Sequence, residues 1–114
     1  MKRTKRELNS GKILKELVKK LKEFKKRVEK RHDLKLIILF GSRARKKFRK
    51  DSDVDLIIVG KFKGKNSLKR APELYLEWDL DLPVDFLCYT PEEFNKLKNQ
   101  VSIVKEAVEN GIEI

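Results

Sequence analysis

Three short apolar runs, each bounded by a turn-forming residue, constrain this chain more than any other feature. "LKLIILF" (Leu34 to Phe40) is a continuous aliphatic run ended by Gly41. "DVDLIIVG" (Asp53 to Gly60) is a second, and "LPVDFLCYT" (Leu82 to Thr90) is a third, opened by a proline. Runs of this length and composition read as buried strands. Helical patterns surround them. From Ser10, "SGKILKELVKKLKEFKKRVEKRH" spaces Ile13, Leu14, Leu17, Val18, Leu21, Phe24 and Val28 by three and four residues, giving one apolar stripe on a long basic helix. In "LKRAPELYLEWDL", Leu68, Ala71, Tyr75 and Trp78 share a face, and Pro72 suits the first turn of a helix better than its middle. Trp78 and Tyr75 read as packing residues. "TPEE" (Thr90 to Glu93) is a capping box with proline at the first helical position, so a helix runs from Pro91. Val101, Val104, Ala107 and Val108 mark another amphipathic stretch, ended by Asn110 and Gly111. The expected fold class is α/β (α+β), a small sheet flanked by helices.

At 114 residues the chain reads as one domain, with residues 1–9 as a flexible basic tail. It holds no run of eighteen apolar residues and no apolar core behind "MKRTKRELNS", so neither a membrane span nor export is expected, and the location predicted is cytoplasmic. The single cysteine, Cys88, lies in an apolar run and reads as a small buried hydrophobe, which excludes a disulfide scaffold or a cysteine-based zinc site. Charge is divided unequally. Residues 1–50 carry 21 Lys and Arg against 5 Asp and Glu, a net of +16; residues 51–114 carry 8 against 13, a net of −5. Such a field attracts polyanions, and a solvated Lys/Glu-rich surface is the plainer account of most individual lysines.

The acids are the informative residues. Residues two apart on a strand share a face, so Asp53 and Asp55 project together while Val54 and Leu56 point away. Paired carboxylates raise one another's pKa, and clustered carboxylate oxygens suit a hard cation such as Mg²⁺. Asp85, flanked by apolar residues in the third run, can complete a three-carboxylate cluster if the second and third strands are neighbours. Such a cluster can hold two ions roughly 3.5–4 Å apart, as in two-metal phosphoryl chemistry. Asp79 and Asp81 lie at a helix end and read as exposed loop acids; Asp51 and Ser52 read as turn residues. His32, the only histidine, reads as a surface residue at a helix end. Upstream, "FGSRAR" offers a phosphate site: Gly41 permits a sharp turn, Ser42 and a following N–H can donate to phosphate oxygens, a helix starting here would add its positive end, and Arg43 and Arg45 can neutralise charge.

Together, "GSRARKKFRKDSDVDL" and the later Asp85 resemble the DNA polymerase β-type nucleotidyltransferases, whose signature is Gly-Ser, about ten residues, Asp-x-Asp, then a third Asp on a later strand. The small size and the Gly-Ser-x-Ala-Arg form resemble the minimal nucleotidyltransferase (MNT) family over roughly residues 13–110. The resemblance implies a mixed sheet of three to four strands. It implies that Gly41 and Ser42 hold the triphosphate with Arg43 and Arg45 nearby, that Asp53 and Asp55 bind two Mg²⁺ (Mn²⁺ as the alternative ion), and that Asp85 binds the catalytic ion and helps activate a hydroxyl. The activity implied is transfer of AMP from ATP, the partner a HEPN-type toxin whose tyrosine is adenylylated, and the role that of an antitoxin. Lys46 stands where the family usually has glycine. Two other classes of function fit the same residues: a contact-only antitoxin module, and a nucleic-acid-binding domain using the basic half, with RNA or DNA as ligand. Self-association into a homo-oligomer is a further expectation.

Overall fold

A computed structural model describes residues 5–49, 51–62 and 65–114, with the side chains of α1 described from residue 10. The element order is α1 (Lys5–His32), β1 (Leu34–Phe40), β2 (Val54–Gly60), α2 (Ser67–Glu77), β3 (Val84–Tyr89), α3 (Pro91–Leu97), α4 (Ile103–Asn110) and β4 (Ile112–Glu113). The strands form one sheet in the order β3-β2-β1-β4. β1 runs antiparallel to β2 and β4, and β2 runs parallel to β3, so the sheet is mixed, as expected. The two-residue β4 is too short to carry a period in sequence.

Strand alternation sorts the residues between two helical layers. Ile37, Leu39, Leu56, Ile58 and Phe86 pack with Leu17, Leu21, Phe24 and Val28 of α1 and Leu74 of α2. Fully burying a side chain of this size contributes about 1.5–3 kcal/mol relative to leaving it in water. The alternate residues Ile38, Ile57 and Val59 pack with Phe94 of α3 and with Val104 and Ala107 of α4. Asp55 and Asp85 share the parity of Ile57 and Leu87, which places them on this second face, at the strand ends. The Thr90 capping box forms as read, and Glu93 accepts from the Thr90 amide at 2.8 Å and from Arg70 Nη1 at 2.7 Å. Those two donors hold the Glu93 carboxyl below its usual range.

Several expectations are corrected. α1 begins at Lys5, a full turn earlier than Ser10; residues 1–4 of the expected tail lie outside the described residues. His32 is 1% exposed: its Nε2 lies 3.0 Å from Glu77 Oε2, and Nδ1 3.9 Å from Glu73 Oε2. The signal was present, because His32 continues the Phe24, Val28 spacing onto the buried face of α1. Pro72 sits inside α2, which starts at the Asn66 cap. The ring removes a bond to the Leu68 carbonyl, but Leu68 and Pro72 both face solvent, where water can take that carbonyl. Leu68, placed on one face with Ala71, Tyr75 and Trp78, and Val101, placed in the last amphipathic stretch, are exposed. The side of α2 that packs is set by Leu74 and by buried Arg70, whose guanidinium stands 5.7 Å over the Phe62 ring. Tyr75 and Trp78 do pack: the Tyr75 hydroxyl accepts from the Phe86 N–H at 3.3 Å, and Trp78 Nε1 donates to the Leu82 carbonyl at 2.8 Å. Burial pushes the Cys88 thiol up to about 12, so it stays protonated and unreactive.

Candidate active site

β1 ends against a tight turn rather than a helix. The Arg45 N–H donates to the Gly41 carbonyl (3.3 Å), Lys46 to Arg43 (3.2 Å) and Lys47 to Ser42 (3.0 Å), after which the chain straightens. Two residues make this turn feasible. Gly41 has φ +78°, and Lys46 has φ +60°, a left-handed position that costs a residue with a Cβ about 1–2 kcal/mol. Lys46 therefore occupies a conformation that favours glycine. Lys46→Gly is expected to stabilise the protein by about 0.5–1 kcal/mol, the relieved strain less the added entropy of an unfolded glycine, as a chemical-denaturation midpoint would show.

The register brings two of the acids together. β2 pairs with β3 so that Asp55 lies opposite Asp85, and β1 pairs so that Phe40 lies opposite Asp55. The Val54 N–H donates to the Pro83 carbonyl at 2.8 Å, fixing the strand starts relative to one another. Gly41 closes over Asp55: a Cβ on Gly41 would stand 2.4 Å from Asp55 Oδ2. The Asp55 carboxyl is held above its ordinary range, first by partial burial, then by the charge of Asp85, then by that of Asp53. Asp53 precedes β2 and is exposed, as is Asp85.

The basic residues of the turn take different positions. Arg43 is 2% exposed; its Nε donates to the Ser52 carbonyl at 3.0 Å, and its guanidinium lies 4.7 Å from the centre of the Phe48 ring. Burial lowers its pKa, and the charge of exposed Asp53 opposes that shift in part. Arg45 is exposed, with Nη1 3.8 Å from Glu106 of α4, and Ser42 is half-buried at the start of the turn. Ser52 shapes the return of the loop, its Oγ accepting from the Arg49 N–H at 2.7 Å. Phe48 and the Ser52 carbonyl are supports for Arg43 that the sequence did not signal. Asp79 is a loop acid paired with Arg27 at 2.7 Å, and Asp81 is exposed.

Among the described residues, no group of three Asp, Glu, His or Cys side chains is gathered closely enough to hold an ion as it stands. The donor set at the strand ends is all carboxylate oxygen, which suits a hard divalent cation. The Asp55 carboxyl is lifted first by burial and then by the charges of Asp85 and Asp53, and a bound cation would relieve that second, electrostatic part.

With the fold and these acids in place, the class of protein follows. Residues 21–114 match the family model of the nucleotidyltransferase domain, and the chain belongs to that family. The general chemistry of that domain is transfer of a nucleoside monophosphate. The fold is shared with a crystal structure, at 1.40 Å, of an inferred nucleotidyltransferase from Sulfolobus solfataricus, with a TM-score of 0.65 at 22% identity, covering 99% of this chain and 89% of that one. No curated protein matches the chain. No described helix is long and apolar enough to cross a membrane.

Proposed function

We propose that this nucleotidyltransferase domain transfers AMP from ATP to a hydroxyl group with release of pyrophosphate, using Mg²⁺, and that the hydroxyl is a tyrosine of a HEPN-type partner for which the chain serves as antitoxin. The observation that carries the reading is Asp55 and Asp85 side by side in register, beneath the Gly41 turn. Asp53 and Asp55 would hold both ions, and Asp85 would share the one nearer the acceptor. When bound, the ions supply positive charge to the reacting phosphate and lower the pKa of the attacking hydroxyl. The chain's own groups do the rest. The Asp85 carboxylate accepts the hydroxyl proton as the acceptor oxygen bonds to the α-phosphorus. The bond from the α-phosphorus to the bridging oxygen breaks, and that oxygen leaves with the electron pair on pyrophosphate. Ser42 and Arg45, once released from Glu106, donate to the leaving group. Arg43, held under the loop, steadies Asp53 from behind.

A protein acceptor is favoured by the outward side of α2, where Leu68 and Leu76 are 85% and 87% exposed beside Pro72 and Tyr75. A contiguous apolar face of this kind suits a protein contact. The test is label transfer from ATP carrying a labelled α-phosphate, with Mg²⁺ and a cell extract, followed by protease or nuclease. Protease-sensitive label, absent with Asp53→Asn/Asp55→Asn, is the expected result; nuclease-sensitive label overturns the protein acceptor, and full transfer by the variant overturns the carboxylate chemistry.

A further inference from the structure

The outer surface of α1 carries a second feature that transfer chemistry does not use. Lys12, Lys15, Lys19, Lys22, Lys26 and Lys30 recur at three-, four- and seven-residue steps, which keeps them on one ridge opposite the buried stripe of Leu14, Leu17, Leu21, Phe24 and Val28. At about 1.5 Å per residue the ridge is ~27 Å long. All six lysines are exposed, and among the described residues none forms an ion pair, although Glu16 and Glu23 lie on the same helix. A merely solvated, heat-adapted surface would be expected to lace its lysines into ion-pair networks.

The ridge has a direction. α1 leads into β1 through the single residue Asp33, so its early turns lie beside the far end of β1, where the Gly41 turn is. There Lys12 and Lys15 meet Lys46 around a cavity of about 500 Å³ whose apolar wall is Leu14, Val18 and Ile112. The cavity is the size of an ordinary small-molecule site. Three cations around an apolar wall fit a phosphate attached to a flat apolar body, as a nucleotide is.

We propose that the lysine ridge of α1 binds the backbone of single-stranded RNA and that the cavity beside the Gly41 turn takes a nucleotide of that strand. A protein partner is a poorer fit, because lysine is depleted at protein interfaces and the ridge presents no aromatic or arginine anchor. Single-stranded RNA suits better than a duplex, because the cavity requires an unstacked base. The inference goes beyond the transfer reading and does not depend on it.

The test is fluorescence anisotropy with a labelled 20-nucleotide single-stranded RNA between 50 and 200 mM salt. Six phosphate contacts on a single strand predict a slope of about −4 in log affinity against log salt, or ~300-fold weakening over that range. Lys15→Gln/Lys19→Gln/Lys22→Gln is expected to bring the slope to about −2. Lys61→Gln/Lys69→Gln/Lys96→Gln removes the same charge from exposed positions elsewhere and should leave slope and affinity close to wild type. Asp55→Asn should bind RNA normally, so a failure of transfer and a failure of binding are read separately. Equal losses in the two triple variants, a flat salt response, tighter binding of DNA of the same sequence, or equal affinity for polyglutamate would each overturn the proposal.

Discussion

Asp55→Asn is expected to lower kcat/KM for nucleotidyl transfer by about 10³-fold or more while raising the melting temperature of the metal-free protein. The activity loss follows from position. Asp55 lies between Gly41 and Asp85, where it would hold the ions that stabilise the reacting phosphate; losing one such electrostatic contribution ordinarily costs about 10²–10³-fold, and Asp55 would hold two ions. The gain in stability comes from the same carboxylate. Its pKa is raised above the ordinary carboxylate range by burial and by Asp85 and Asp53, so the folded state holds the proton more tightly than the unfolded chain does. Stability of the metal-free protein therefore falls as pH rises through the raised pKa, and it is highest below the unfolded value. Asparagine removes this cost at neutral pH. After allowance for solvent screening of a half-exposed group, the gain is on the order of 0.5 kcal/mol, or about 2–4 °C. Scanning calorimetry should show the gain at pH 7 and lose it near pH 3. At limiting Mg²⁺ the wild-type activity profile should carry its acid limb above the ordinary carboxylate range, because Asp55 must lose its proton to take the ion, and saturating Mg²⁺ should move that limb to lower pH. An unchanged rate, or a melting point lowered at neutral pH, would contradict this assignment.

Asp55 also shows how much of the site was legible in the sequence. The strand pattern at 53–60 put Asp53 and Asp55 at the start of one strand and that at 82–90 put Asp85 inside the next; the structure starts β3 at Val84, so Asp85 stands exposed near its end, and pairing of β2 with β3 sets Asp55 against Asp85. The positions needed only the two-residue period of a strand. The basic residues were harder, because side-chain reach does not follow from a motif. Arg43 and Arg45 stand two apart in "GSRAR", yet one is sealed beneath the loop against Phe48 and Ser52 while the other leans toward Glu106 of α4. Those partners come from the return of the loop and from a helix some sixty residues away. His32 and Pro72 were misread for a shared reason: charge and ring stereochemistry are local signals, while α1 and α2 obey their apolar periodicity. The Phe24, Val28, His32 spacing outweighed the charged neighbours, and the Asn66 cap with buried Arg70 and Leu74 outweighed the proline. The left-handed Lys46 carried no local signal beyond its place in the motif.

Gly41→Ala should damage the protein twice, through two separable costs. The first is conformational: at φ +78° a Cβ costs about 1–2 kcal/mol wherever it is placed. The second is local. The added Cβ would stand 2.4 Å from Asp55 Oδ2 and 3.3 Å from its Cγ, so the carboxylate must turn away from the site or the turn must lift from β2. Together these should destabilise the protein by about 2–3 kcal/mol, a fall of ~8–15 °C in melting temperature at this chain length. A displacement of about 1 Å at the reacting centre should lower transfer roughly 10²-fold. Gly11→Ala is the control: Gly11 lies within α1, and a methyl group added there would meet nothing inside 4 Å, so the substitution should stabilise by about 0.5–1 kcal/mol. The two costs part in an Asp55→Ala background, where the nearest remaining atom, the Cβ of residue 55, is 3.5 Å away in ordinary contact. There Gly41→Ala should retain only its conformational penalty. A double-mutant cycle should then give a coupling of about 1 kcal/mol. A coupling near zero would mean that glycine is required for the backbone alone, and that Asp55 does not depend on the turn above it for its position.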